Sequence, residues 1–565
     1  MSRKAALLLL FILLVVCIGG VFFLVSLFTP SAPTPRAHSY LVLNLEGEIP
    51  DYPTARSLFQ KEEPLSLWGI SQALREAAGD SRIDGLLMSV SSPGMGMAKS
   101  DEFLGMLKEF RKAGKKVHVY LEVPTLKDYY LASEADTVTL MPSGELLFTG
   151  LSFETVFLKN LFQKIGVTAD FVHTGDYKTA GNTFTESAYT PAHREIMDSL
   201  LDSFYSRFAE VIGQRRGLDR NAFDAMVDKG IILPEEALET KLVERLAFRD
   251  QLEEALAGEG KKLSKLPLSQ YIPRPDQRKG SRNIAVVFLQ GEIREGASGE
   301  DPLSGTIVGA STVADAIKEA AKDESVKALV LRVDSPGGSA IASDLILREL
   351  ERAAAKKPLV ISMGDYAASG GYWVSTSSSL IFADPLTLTG SIGVLAGKFS
   401  LKGLFEKVGI STDRVERGKY AHMFSSSEAL SDEEKALLEK SVRGMYSRFL
   451  SKVAKARKMK VEDVDKIAQG RVWTGKDGVS NGLVDKIGGL QEALAEAMRL
   501  AKLSPSTAGV CEYPKPRSRL LADLSDLELL KAYGGVLSPR KAVQRLPYRN
   551  FQALLLVPSY PVLTP

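Results

Sequence analysis

Cysteine and histidine are scarce in this chain. Two cysteines, Cys17 and Cys511, stand near opposite ends of 565 residues, which excludes a disulfide scaffold and predicts no internal bridge. The histidines are His38, His118, His173, His193 and His422. They show no metal-ligand spacing, so metal catalysis is unsupported and no cofactor is expected. P-loop and dinucleotide fingerprints are missing as well. An excess of one charge is also lacking. The formal net charge is +2, with no basic stripe carrying interleaved aromatics, so no nucleic-acid partner is expected. Composition is otherwise ordinary, which argues against a disordered chain.

A long apolar run is present at the N-terminus. Arg3 and Lys4 precede the uncharged stretch Ala5 to Phe28. Its 24 residues suffice for a helix to cross a hydrocarbon core of roughly 30 Å, and a cleavable signal peptide has a shorter core of about 7–15 residues. The reading is an uncleaved anchor over 1–28 with a cytoplasmic N-terminus, which puts the body outside the cytoplasmic membrane. Residues 29–39, with Pro30, Pro33 and Pro35, read as a spacer.

The chain then contains itself twice. Residues near 40–250 align with residues near 284–490 at an offset of 243, the separation of Ser92 from Ser335. The runs Leu158–Gly166 and Leu401–Gly409 match at the same offset. Each half opens with an apolar strand, Tyr40 to Ile49 or Ile284 to Ile293. A helix follows, then a strand (Gly85–Val90 or Ala328–Val333), a Ser-Pro-Gly turn, a helix, and another strand (Lys116–Leu121 or Pro358–Met363). Alternating elements of this length predict βα units around a mostly parallel sheet, hence a tandem α/β architecture. The expected divisions are repeats over 40–255 and 283–503, a linker over 256–282, and a tail over 504–565 in which the repeat is lost. The run Phe551 to Val557 is too short to span a bilayer as a helix. It is either a docked strand or a surface contact.

Chemistry is divided between the copies. Ser369, in Ala367-Ala368-Ser369-Gly370-Gly371, falls opposite Leu126, and Lys178 falls opposite Ala421. One half has a candidate nucleophile and the other a candidate base, and a split Ser/Lys dyad is the simplest reading. Ser369 follows an apolar run and precedes a helix-like stretch. Such a strand–turn–helix corner exposes a side chain and aims backbone N–H groups at an oxyanion. Gly370 would supply the first donor, and Gly337 and Gly338, after Asp334-Ser335-Pro336, the second. The first half has Ser92-Pro93-Gly94-Met95 there and lacks the second glycine. Lys178 works as a base only if burial lowers its pKa; Tyr177, Phe171, Val172 and Phe184 are candidates for that surrounding. Ser391 either holds the lysine amine or closes a turn. Taken alone, each is an ordinary turn or surface residue. A Ser-His-Asp triad, an acyl-thioester enzyme using the oxyanion hole without a serine nucleophile and a non-catalytic membrane scaffold stay open at this point.

Together these motifs resemble signal peptide peptidase A, in its long, duplicated bacterial form also called protease IV. The carriers are Asp334–Gly338, Ala367–Trp373, Leu388–Gly393, Gly470–Gly475 and Gly482–Gly488, in this order after an apolar N-terminus. The resemblance implies tandem ClpP/crotonase-like domains and serine endopeptidase activity, with Ser369 as nucleophile and Lys178 as general base. It also implies a homo-oligomer, a tetramer forming a bowl on the bacterial inner membrane with its catalytic body periplasmic. The implied substrates are signal peptides left in the membrane after protein export.

Overall fold

The computed structural model describes residues 34–53, 65–258, 260–272, 281–301, 305–504 and 507–514, and the backbone of Leu554–Leu556 and Leu563–Thr564. The expected anchor over 1–28 lies outside them. Among the described residues, no helix is long and apolar enough to cross a membrane.

One parallel and one mostly parallel sheet follow from the two apolar strand sets, the exception being the antiparallel pair Leu388–Gly390 with Val472–Thr474. The first runs Ser264–Pro267, Ser39–Glu48, Ile83–Gly94, Lys116–Leu121, Thr137–Leu140, Arg245–Leu246, all pairs parallel. The second has the corresponding order Ala508–Tyr513, Ser281–Gln290, Ala328–Ser335, Leu359–Ala368, with Leu388–Gly390 and Val472–Thr474 beyond. Ala328–Ser335 is buried at every position, as a central strand covered on both faces requires.

The helices repeat too: Leu67–Ala78 with Ala310–Lys322, Met97–Lys112 with Ala340–Ala354, and Pro191–Arg216 with Asp432–Arg457. Their ends are set locally. The Thr190 side chain accepts from His193 N, Pro191 opens the helix, and Gly217 closes it in the left-handed region; Ser431 and Glu434 form a capping box at the matching helix. Two expectations need correction. The stretch read as a linker contains the strand Ser264–Pro267, paired with Ser39–Val42. The repeat also continues past 503, because Ala508–Tyr513 occupies the equivalent edge of the second sheet. Both strands are short and carry charged or polar residues, so their apolar periodicity is weak.

The halves interlock. Trp68 of the first half packs among Ile284, Phe288, Val330 and Leu494 of the second. A third, mixed sheet holds strands of both. Its order is Gly299–Asp301, Gly305–Gly309, Glu292–Arg294, Gly337–Ser339, Leu554–Leu556, Leu395–Ser400, Thr168–His173. The last strand belongs to the first half and pairs antiparallel with Leu395–Ser400 of the second. Leu554–Leu556, from the tail, pairs antiparallel with Gly337–Ser339 and meets Leu395 on its other side. Of the two readings of that apolar run, the docked strand holds.

Candidate active site

Ser369 stands where Leu359–Ala368 ends and the helix Gly370–Ser375 begins. Its backbone is held at φ 55°, ψ −112°, a conformation costing a non-glycine residue about 1–3 kcal/mol and persisting only where the surroundings enforce it. Enforcement comes from both ends: Ser369 N donates to Gly390 O at 2.8 Å, and Trp373 N donates to Ser369 O at 2.8 Å. The corner turns the hydroxyl out of the sheet.

Lys178 arrives from the other half. The cross-half pairing of Thr168–His173 with Leu395–Ser400 carries the chain to the serine corner. Thr174 N then donates to Val394 O at 2.9 Å and Tyr177 N to Gln469 O at 3.0 Å. The side chain that follows is wholly buried. Lys178 Nζ lies 2.8 Å from Ser369 Oγ, 3.0 Å from Ser391 Oγ and 3.1 Å from Ser391 O. Burial pushes the amine well below the usual lysine range, with no acidic neighbour among the described residues to offset it. These distances let a neutral amine donate two N–H groups to Ser391 and present its lone pair to the Ser369 hydroxyl. Ser391 lies in the left-handed region at φ 49°.

The dry environment differs from the one expected. Tyr177 is turned away, its hydroxyl donating to Glu195 at 2.9 Å and its ring lying under Arg471. Phe184 stacks with Phe171 and Phe162, and Phe399 meets them edge-on, in a separate aromatic group. The lysine stem instead threads between two glycines. A Cβ on Gly470 would lie 2.5 Å from Lys178 Cβ, and one on Gly393 would lie 3.2 Å from Lys178 Cδ. Sequence reasoning gave these glycines no role, although both sit in motifs that carried the resemblance.

The oxyanion candidates converge on the corner. Gly338 has φ 147°, and a Cβ there would lie 2.1 Å from Ile293 O, so the strand Glu292–Arg294 leaves room for glycine alone. A Cβ on Gly370 would be 3.2 Å from both Gly337 Cα and Gly338 N, so Gly370 packs against the Gly337-Gly338 segment. Among the described residues, the side chain hydrogen-bonded to Ser369 Oγ is Lys178. His193 is buried against Phe157 and Tyr189, and that burial lowers its pKa to about 4. Among the described residues, no cluster of three or more potential metal ligands occurs.

Residues 109–264 and 351–504, one stretch in each half, match the family described as "Peptidase family S49". The chain belongs to peptidase family S49. This S49 member is 35% identical over 530 residues to "Protease 4" of Salmonella typhi, covering 89% of this chain and 84% of that protein. It is 34% identical over 482 residues to "Serine protease SPPA, chloroplastic" of Arabidopsis thaliana, covering 83% of this chain and 70% of that one. It is also 38% identical over 200 residues to "Putative signal peptide peptidase SppA" of Enterococcus faecium, covering 35% of this chain and 57% of that protein. The resemblance to the long, duplicated form therefore holds, and this S49 protein is a serine peptidase. The readings as an acyl-thioester enzyme and as an inert scaffold are set aside.

Proposed function

We propose that the chain is a membrane-anchored serine endopeptidase that degrades signal peptides remaining after export, with Ser369 as nucleophile and Lys178 as general base. The observation that carries the dyad is the 2.8 Å separation of Lys178 Nζ and Ser369 Oγ, reached by a strand crossing between the halves. Neutral Lys178 takes the hydroxyl proton as Ser369 Oγ bonds to a peptide carbonyl carbon. The N–H groups of Gly338 and Gly370 receive the oxyanion; one such donor is typically worth about 3–4 kcal/mol. The lysine proton passes to the leaving amine as the C–N bond breaks. A water, deprotonated by the same amine, then releases the acyl group and returns Ser369 to its hydroxyl form.

Extended substrates suit this site. The edge Gly337–Ser339 already accepts the chain's own Leu554–Leu556 as an antiparallel strand, and strand addition supplies affinity through the main chain. The apolar N-terminal run and the name of the Enterococcus faecium relative, a signal peptide peptidase, support membrane-retained signal peptides as the substrate class. Two ClpP/crotonase-like repeats behind an anchor over 1–28, the first reaching Pro267 and the second Tyr513, complete the reading, as does a homo-tetramer on the periplasmic face. Exposed Leu161, Ile165, Val408 and Ile410, on and just beyond two adjoining helices, offer apolar surface for such an assembly.

The test follows hydrolysis of a fluorogenic apolar peptide by wild type, Ser369→Ala and Lys178→Ala from pH 5 to 10. Both variants should be inactive, with the wild-type rate rising as the lysine deprotonates. Activity in Lys178→Ala would remove the lysine from its role, and activity in Ser369→Ala would remove the serine. Equal cleavage of a charged peptide of the same length would count against the apolar substrate class.

A further inference from the structure

A bulge precedes the serine corner. Ala328–Ser335 pairs Val333 with Met363 and then Ser335 with Ala367. Two steps along one strand thus span four along the other, and the excess falls on Gly364-Asp365-Tyr366. Bulges bend a strand and re-aim the side chains beyond them, and Ser369 is the third residue beyond this one.

Two buried aspartates pin the bulge, and one buried lysine joins them. Asp334 Oδ1 accepts from Tyr366 N at 3.0 Å. Asp365 accepts from Gly96 N and Lys99 N, each at 3.0 Å. Lys99 Nζ lies 3.0 Å from both Asp334 Oδ2 and Asp365 Oδ2. Asp334 opens the segment Asp334-Ser335-Pro336-Gly337 that leads into the oxyanion strand, and Asp365 sits in the bulge. The lysine ties the two segments that must align for acyl transfer, and it comes from the opposite half, on the helix Met97–Lys112. At the 243-residue offset Lys99 corresponds to Ala342, and the aspartates to Ser91 and Glu122. The triad therefore exists once, at the corner that bears the serine.

Its electrostatics fit a fixed charge. Burial alone would lower the Lys99 pKa, but Asp334, Asp365 and Asp51 outweigh it and hold the ammonium well above the usual range. Burial raises Asp334 to about 6 against the pull of Lys99, so both partners are charged at neutral pH. Arg332 with Asp51 and Glu102 joins the halves beside this cluster, with Asp51 acting on both Arg332 and Lys99, and Trp68 adds apolar contact.

We propose that Lys99 is a positioning residue of this peptidase: by joining Asp365 to Asp334 it fixes the bulge that aims Ser369 and aligns the oxyanion strand against it. The proposal rests on the reading of Ser369 as nucleophile. Misplacing a reacting group by about 1 Å costs up to roughly a hundredfold in rate, so loss of the tie acts on kcat.

The full chain is compared with Lys99→Met and Asp334→Asn. The readouts are kcat and KM on a fluorogenic peptide, the labelling rate of Ser369 by a fluorophosphonate, and the folded fraction at the assay temperature. The asparagine still accepts from Tyr366 N but offers the lysine no charge. The expected result is a ten- to hundredfold fall in kcat per folded molecule, KM within about twofold, and labelling slowed in parallel. If Lys99→Met does not fold, Asp334→Asn decides on the same readouts. Wild-type kcat and labelling per folded molecule in a folded variant would overturn the proposal. Activity or labelling in Ser369→Ala would instead overturn the reading beneath it.

Discussion

Replacing Gly470 by alanine tests whether the lysine must be threaded through glycine. The new Cβ would lie 2.5 Å from Lys178 N and from Lys178 Cβ, whereas ordinary contact begins at 3.4 Å. Relief requires the segment bearing Lys178 to retreat by the difference, about 0.9 Å. The amine then stands about 3.7 Å from Ser369 Oγ instead of 2.8 Å, beyond hydrogen-bond range. A displacement of about 1 Å costs roughly a hundredfold, or about 2.7 kcal/mol of activation free energy. The left-handed backbone, φ 81°, adds about 1–2 kcal/mol of strain in alanine, which lowers stability but not rate. Gly482 separates the two effects. Its φ is 83°, and the nearest atom to a Cβ there is Met459 Sδ at 3.7 Å. Gly482→Ala should therefore lose stability and keep kcat. Steady-state kinetics and thermal melts on both variants provide the assay. Gly470→Ala retaining kcat within about threefold of wild type would refute the reasoning, as would an equal loss in Gly482→Ala.

Lys178→Met should stabilise the protein at neutral pH and flatten its pH dependence. The folded state binds fewer protons than the unfolded state between the depressed pKa and the usual lysine value, so wild-type stability rises with pH through that window; melts from pH 6 to 10 read both effects. Arg332→Met leaves Asp51 and Glu102 buried without the guanidinium that pairs with both, and a loss of about 3–5 kcal/mol is expected in denaturant titrations. Deleting residues 515–565 removes the strand Leu554–Leu556 from Gly337–Ser339. With that edge open to substrate, KM for an extended peptide should fall while kcat holds, in a comparison of truncated and full chains.

The fold class was legible because apolar runs alternate with helical patterns and because the chain repeats. A split site was legible for the same reason: two copies offer an internal comparison, and Ser369 and Lys178 each lack a counterpart. Contacts depending on chain crossing were not legible. No local signal tells Lys99 that its partners are 235 and 266 positions away, or draws Thr168–His173 to the other half's sheet. Gly393 and Gly470 look like turn glycines until the lysine stem is seen between them. The apolar surroundings assigned to Lys178 were wrong in detail, because Phe171 sits on a strand, Tyr177 in a turn and Phe184 on a short helix, and their rings do not all face one way. The edge strands Ser264–Pro267 and Ala508–Tyr513 escaped notice because they carry too little apolar pattern.

The crossing of the strand Thr168–His173 into the second half's sheet has a consequence in time. A chain is made from its N-terminus, so the half that carries the proposed base is finished first. Its strand has nothing to pair with until Leu395–Ser400 exists, and Lys178 has no serine to serve until the segment 191 positions later has folded. With the proposed dyad, a partly made or broken-off chain is latent by construction, and proteolytic capacity arises at one late moment, when the second half closes over the first.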